Sequence, residues 1–237
     1  MKEFKYNIMT NTVKEILNYF KSLENPANVE GMKRYGIAGE KIYGVNIPVI
    51  RRLAKELKYN HKLASELWET KIHEARILAF LIDDPKEVNI EQMETWVSEI
   101  NSWDICDGCM SNLFDKTPVA YKKAVEWSKR KEEFVKRAGF VLMATLSVHD
   151  KKAENSKFEK FLPLIEKEAK DERNFVKKAV NWALRQIGKR NPYLHKEAIK
   201  TAERIRKQDY KSAKWIAADA LRELKNEKTH VRAIGQS

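Results

Sequence analysis

Trp103 and Asp107 are the first residues in this chain whose types and spacing suggest chemistry. Four apart in a helix, they share a face. A carboxylate beside an indole can stabilise a developing positive charge or position a water molecule. Arg137 and Trp182 add a cation and a second aromatic wall if later segments return to the same side. Asp104 is the competing acid. In the same helical register it points about 100° away from Trp103, and it suits a helix start instead. Structural roles are open to each of these residues: the tryptophans as core, and Asp107 as an N-cap or as the partner of Arg137.

Cys106 and Cys109 form a CxxC pair. Zinc would want two more ligands at regular spacing, and His61, His73, His149, His195 and His230 are scattered. A thioredoxin-like site would want a preceding strand. Two small apolar thiols on a packed helix are the simpler reading. The glycine-rich signatures of nucleotide-binding loops are absent, so the expectation is no metal and no cofactor.

The formal charge of +12, from 46 Lys+Arg against 34 Asp+Glu, favours a polyanionic partner and salt-sensitive binding. No apolar run approaches the roughly 20 residues that span a bilayer. The Met1–Lys5 stretch lacks the apolar core of a secretory leader. The expected protein is therefore cytoplasmic, with no membrane partner, and monomeric.

Helices must position these residues. Gly and Pro are few, at 8 and 6, and Ala, Leu, Lys, Glu and Arg dominate. Segment 12–23 carries Val13, Ile16, Leu17 and Phe20 on one face, and Asn25-Pro26 stops it. Residues 29–44, with Gly31, Gly36, Gly39 and Gly44, read as a loop or frayed helix. Pro48 opens 48–58. Further helices are expected at 61–69, 72–83, 90–100, 102–114, 118–128, 132–146, 157–168, 173–189, 192–206 and 211–224, joined by short polar connections. The tail from 225 has no apolar face and is expected to fray.

One pattern repeats. Phe134-Val135-Lys136-Arg137-Ala138 returns as Phe175-Val176-Lys177-Lys178-Ala179 and, more loosely, as Ser212-Ala213-Lys214-Trp215-Ile216, with a fainter copy from His73. A two-helix period of about 40 residues predicts an all-α, HEAT-like α-α superhelix, a single domain over 1–237 with a less regular part at 1–60. Such a repeat sets equivalent residues along one edge. Lys136, Arg137, Lys177, Lys178 and Lys214 would then form a basic ladder suited to a phosphate backbone, with Arg137 and Lys178 at the mouth of a groove.

The stretches Ser102-Trp103-Asp104-Ile105-Cys106-Asp107, Phe134 to Ala138, Phe175 to Arg185 and Asn191-Pro192 resemble the DNA alkylation repair glycosylases of the AlkD type, HEAT-like repeat proteins, over about 10–225. The resemblance implies a metal-independent, monofunctional DNA glycosylase of base excision repair. Its partner would be double-stranded DNA containing alkylated bases. It would hydrolyse the N-glycosidic bond of cationic N3- or N7-alkylated purines, as in 3-methyladenine or 7-methylguanine. On the same basis Asp107 is catalytic, Trp103 and Trp182 flank the lesion nucleotide, and Arg137 and Arg185 contact the backbone. Weaker matches place Tyr35 and Asn46 near the DNA. Ser102-Trp103 departs from the two adjacent tryptophans common in the family. Two other functions fit the same fold: an inactive DNA-structure binder and a protein-binding scaffold.

Overall fold

The computed structural model describes residues 12–37 and 39–226. Among these residues the structure is all-α: fourteen α-helices, one 3-10 turn at Phe114–Lys116, and a lone parallel bridge between Lys41 and Ile72. Among the described residues no helix is long and apolar enough to cross a membrane. The fold is the expected HEAT-like repeat fold. Two compact units divide the chain, one up to Val88 and one from Asn89. The tail expected to fray lies, from 227 on, outside the described residues.

The first unit holds α1 (Val13–Ser22), α2 (Pro26–Arg34), α3 (Ile47–Leu57), α4 (His61–Glu69) and α5 (His73–Ile82). Ile16 and Phe20 of α1 are wholly buried, as the apolar stripe predicts. Asn25-Pro26 stops α1 but also starts α2, which runs into the 29–44 stretch read from the sequence as a loop or frayed helix. The Asn25 side chain accepts from Asn28 N at 3.2 Å, and Pro26 occupies the first turn, where its missing N–H costs nothing. Nearly every residue of α5 is buried, making it the unit's central helix. Its Glu74 carboxylate is fully buried. It accepts from the backbone N–H groups of Tyr43 at 3.1 Å, Gly44 at 2.7 Å and Val45 at 3.3 Å. Those donors have no strand or helix partner, so the carboxylate holds the loop that leads into α3. Gly44 sits there at φ +76°, and a Cβ on it would lie 2.4 Å from the Asn25 carbonyl oxygen.

The second unit comprises α6 (Ile90–Glu99), α7 (Trp103–Asn112), α8 (Ala120–Trp127), α9 (Glu133–His149), α10 (Asn155–Glu159), α11 (Leu162–Glu168), α12 (Asn174–Gly188), α13 (Pro192–Arg206) and α14 (Lys211–Leu224). Helices α7, α9, α12 and α14 pack in succession, and α8 and α13 back them. The repeat register appears as burial. Val135, Val176 and Ala213 are all buried, and so are Ala138, Ala179 and Ile216. Each large apolar side chain so removed from water stabilises the unit by roughly 1.5–3 kcal/mol. Gly139 permits the closest approach: a Cβ there would lie 2.3 Å from Ser128 N, so the backbone of α9 meets the backbone at the end of α8 directly.

The helix expected at 157–168 is two helices, α10 and α11, broken at Lys160 and Phe161. Pro163 cannot donate into a continuous helix, and its ring would strike the preceding turn. The break lets Phe158 and Phe161 both turn inward, ring centroids 6.2 Å apart.

Candidate functional site

Ser102 precedes α7 in extended conformation, and its buried hydroxyl donates to Asp104. Asp104 therefore serves the helix start, where a carboxylate also complements the positive end of the peptide dipoles. Trp103 and Asp107 follow on α7 one turn apart, both half-buried.

Asp107 is held from the next repeat. Arg137 of α9 donates from Nε to Oδ1 at 2.9 Å and from Nη2 to Oδ2 at 2.7 Å. Its third arm, Nη1, donates to the Phe175 carbonyl at the start of α12 at 2.6 Å. One side chain thus links α7, α9 and α12. Forked pairing of this kind fixes orientation as well as charge. Burial pushes the Asp107 carboxyl above its usual range, and Arg137 offsets part of that rise through its charge and hydrogen bonds. Burial works against the Arg137 charge too, but Asp107 outweighs it and holds the guanidinium protonated.

Arg137 is therefore not at a groove mouth. It is 5% exposed, whereas the Asp107 side chain retains 21%. The physical reason is that a carboxylate carried into an interhelix crevice requires a counter-charge with donors on both oxygens. Beside it, the Cys106 thiol lies 3.7 Å from the Phe134 carbonyl, and burial raises its pKa well above the usual thiol value. Cys109 is buried as well. Among the described residues no three His, Cys, Asp or Glu side chains gather as metal ligands would.

Trp182 and Arg185 lie on α12. With the Gln186 amide turned so that its oxygen faces the indole, Trp182 Nε1 donates to it at 3.0 Å. Arg185 pairs with Glu223 of α14 and approaches Asp219 at 3.7 Å. Glu223 also takes Lys189 at 2.7 Å, and Asp219 accepts from Asn181 at 2.6 Å. The site residues thus fall into two groups: Asp107 with Arg137, and Trp182 with Arg185 among the α14 acids.

The basic ladder divides. Lys136 is 12% exposed and bound to Glu168 at 2.5 Å and Asp171 at 3.4 Å. Lys177 lies over the Trp215 ring, 5.4 Å from its centroid. Lys214 pairs with Asp209 on open surface, a contact of little energetic weight. Lys178 is exposed with no acidic partner among the described residues. In the N-terminal unit, Tyr35 follows α2 and is 77% exposed. Asn46 precedes α3, accepting from Asn28 Nδ2 at 3.1 Å. The acids Glu168, Asp171, Asp219 and Glu223 went unnoticed in the sequence, since each meets Lys136, Arg185 or Lys189 across an interhelix contact, although Asp171 and Asp219 also pair locally with Arg173 and Arg222.

The family model for DNA alkylation repair enzymes matches residues 16–229, and the chain belongs to that family. Two uncharacterized Listeria proteins are similar over 190 residues, 78% of this chain and 83% of their own. The Listeria innocua protein is 24% identical and the Listeria monocytogenes protein 22%. A solved structure matches with a TM-score of 0.73 at 20% identity, over 88% of this chain and 94% of its own. It is described as a new family of proteins related to the HEAT-like repeat DNA glycosylases with affinity for branched DNA structures. The shared fold is the HEAT-like repeat.

Proposed function

We propose that this protein is a DNA glycosylase that releases purines alkylated at N3 or N7, with Asp107 as its catalytic carboxylate. The observation that carries this is the forked Arg137–Asp107 pair, which holds a partly accessible carboxyl group one helical turn from Trp103. Alkylation at either ring nitrogen leaves the purine cationic. When the bond from that base to C1′ breaks, its electron pair neutralises the base, which departs without a proton from the protein. The positive charge that develops on the sugar is what Asp107 would stabilise. Water then adds to C1′ and loses its proton to solvent. Trp103 and Trp182 suit a cationic substrate, because an indole face attracts positive charge. Arg137 acts as a positioning residue, offsetting part of the burial of the carboxyl group and keeping it aimed. Within the ladder, Lys178 and Lys177 are the lysines not held by an acid among the described residues.

The test is base release from methylated duplex by Asp107→Asn. The expected result is a loss of about a hundredfold to a thousandfold in single-turnover rate, with duplex affinity retained. Undiminished release would remove Asp107 from the mechanism.

A second reading is binding of DNA structure without base release. It is favoured by the acids that already engage Lys136, Arg185 and Lys189, and by the branched-DNA affinity ascribed to the structural relative's family. No base release by the unaltered protein, alongside tight binding to a junction, would establish it.

A further inference from the structure

Of the tryptophans, Trp68, Trp96 and Trp127 are buried, Trp103 and Trp182 half-buried, and Trp215 exposed at 41%. Exposure alone assigns nothing to a side chain. Three further observations bear on this one. In the repeat register Trp215 takes the place held by Arg137 on α9 and Lys178 on α12. It therefore continues, on α14, the row whose first member grips Asp107. Second, cations surround it. Lys177 lies over its ring at 5.4 Å, Lys211 precedes it by one turn on the same face of α14, and Lys178 is its register neighbour on α12. Neither Lys211 nor Lys178 has an acidic partner among the described residues. Third, the acid one turn on, Asp219, is occupied by Asn181 at 2.6 Å and by Arg222. The indole thus stands in net positive surroundings.

We infer that Trp215 is a stacking platform for an unpaired nucleobase, with Lys177, Lys178 and Lys211 receiving the flanking phosphates. The inference rests on the DNA-binding part of the reading above and adds a substrate preference to it. A base inside a duplex has both faces covered by its neighbours, so a side chain can stack only where a base is unpaired or extruded. Indole stacking tolerates any base, while lysines read only the backbone. The platform would therefore select a structural state of DNA rather than a sequence. A protein partner fits less well, since two lysines without acidic partners, and a third lying over the ring, suit a regular polyanion.

The experiment compares the full chain with Trp215→Ala and Trp215→Phe. Affinity is measured for a paired duplex and for the same duplex with a single unpaired base, at two salt concentrations. The unaltered protein should prefer the bulged duplex. Trp215→Ala should lose about tenfold on the bulged duplex and under about twofold on the paired one. Trp215→Phe should keep most of the preference. The salt dependence should not change, because no phosphate contact is removed. Equal loss on both duplexes, or no loss on either, would overturn the inference while leaving DNA binding intact. If the unaltered protein binds neither duplex, the functional reading itself falls.

Discussion

Replacing Arg137 by Met strips Asp107 of its counter-ion while nearly keeping the volume of the side chain. Three donor arms are lost, two to Asp107 and one to the Phe175 carbonyl. Removing one partner of a buried ion pair costs about 3–5 kcal/mol, chiefly because the other charge stays behind unpaired. The 21% residual exposure of the Asp107 side chain puts the expectation at the low end, about 3 kcal/mol. For a chain of this size each kcal/mol shifts the melting temperature by about 2–4 °C, so a fall of roughly 6–12 °C is expected. The pH dependence has a definite sign. Burial already raises the folded-state pKa of Asp107, and loss of Arg137 raises it further. A carboxyl whose folded pKa exceeds its unfolded value favours folding most at low pH, where it is protonated in both states. The deficit of Arg137→Met against the unaltered protein should thus be full at neutral pH. It should shrink as the pH falls through the variant's further-raised pKa towards the folded pKa of the unaltered protein. Adding Asp107→Asn should recover part of the loss at neutral pH, because no buried charge is then left unpaired. Thermal and urea unfolding of the unaltered protein, the two single variants and the double variant between about pH 4 and pH 7.5 measures all of this. A deficit below about 1 kcal/mol, or one that does not vary with pH, would refute the account of the pair.

Two further outcomes follow from other elements. Glu74→Gln removes the charge from the carboxylate that collects the Tyr43, Gly44 and Val45 amides, and should cost about 2–3 kcal/mol in chemical unfolding; a neutral effect would mean that the loop holds itself. Glu223→Gln releases Arg185 and Lys189 from a shared acid, so duplex affinity should rise about two- to fivefold and fall more steeply with salt. An unchanged salt slope would show that these cations do not meet phosphate.

The helices were legible because their signals are local. Asn60, Asn89 and Asn191 each cap the helix that follows, accepting from the residue three further on. The repeat was legible because small residues recur where helices touch, as at Ala138 and Ala179. Asn25-Pro26 shows the limit of such signals: the same dipeptide ends one helix and begins another, and only the capping bond decides. At the site, the spacing of Trp103 and Asp107 sufficed for a shared face. The pairing of Arg137 with Asp107 was one of two structural roles open to that acid, and only tertiary packing could choose it. The neutralisation of Lys136 by Glu168 and Asp171 was hidden for the same reason. Charge counting treats every lysine alike, whereas interhelix packing decides which ones remain available to solvent.

Arg137 has a mechanical meaning beyond its charge. It is rooted in α9, grips the acid on α7 and is itself tethered to the first turn of α12. The carboxylate is consequently a gauge of the spacing between neighbouring repeats. Any bend that draws α12 away from α9 pulls on the guanidinium, and through it on Asp107. A duplex that fits the pitch of these helices leaves the acid aimed, and one that forces them apart would swing it aside. On the mechanism proposed above, the shape of the bound DNA would thereby be read at the carboxyl group itself.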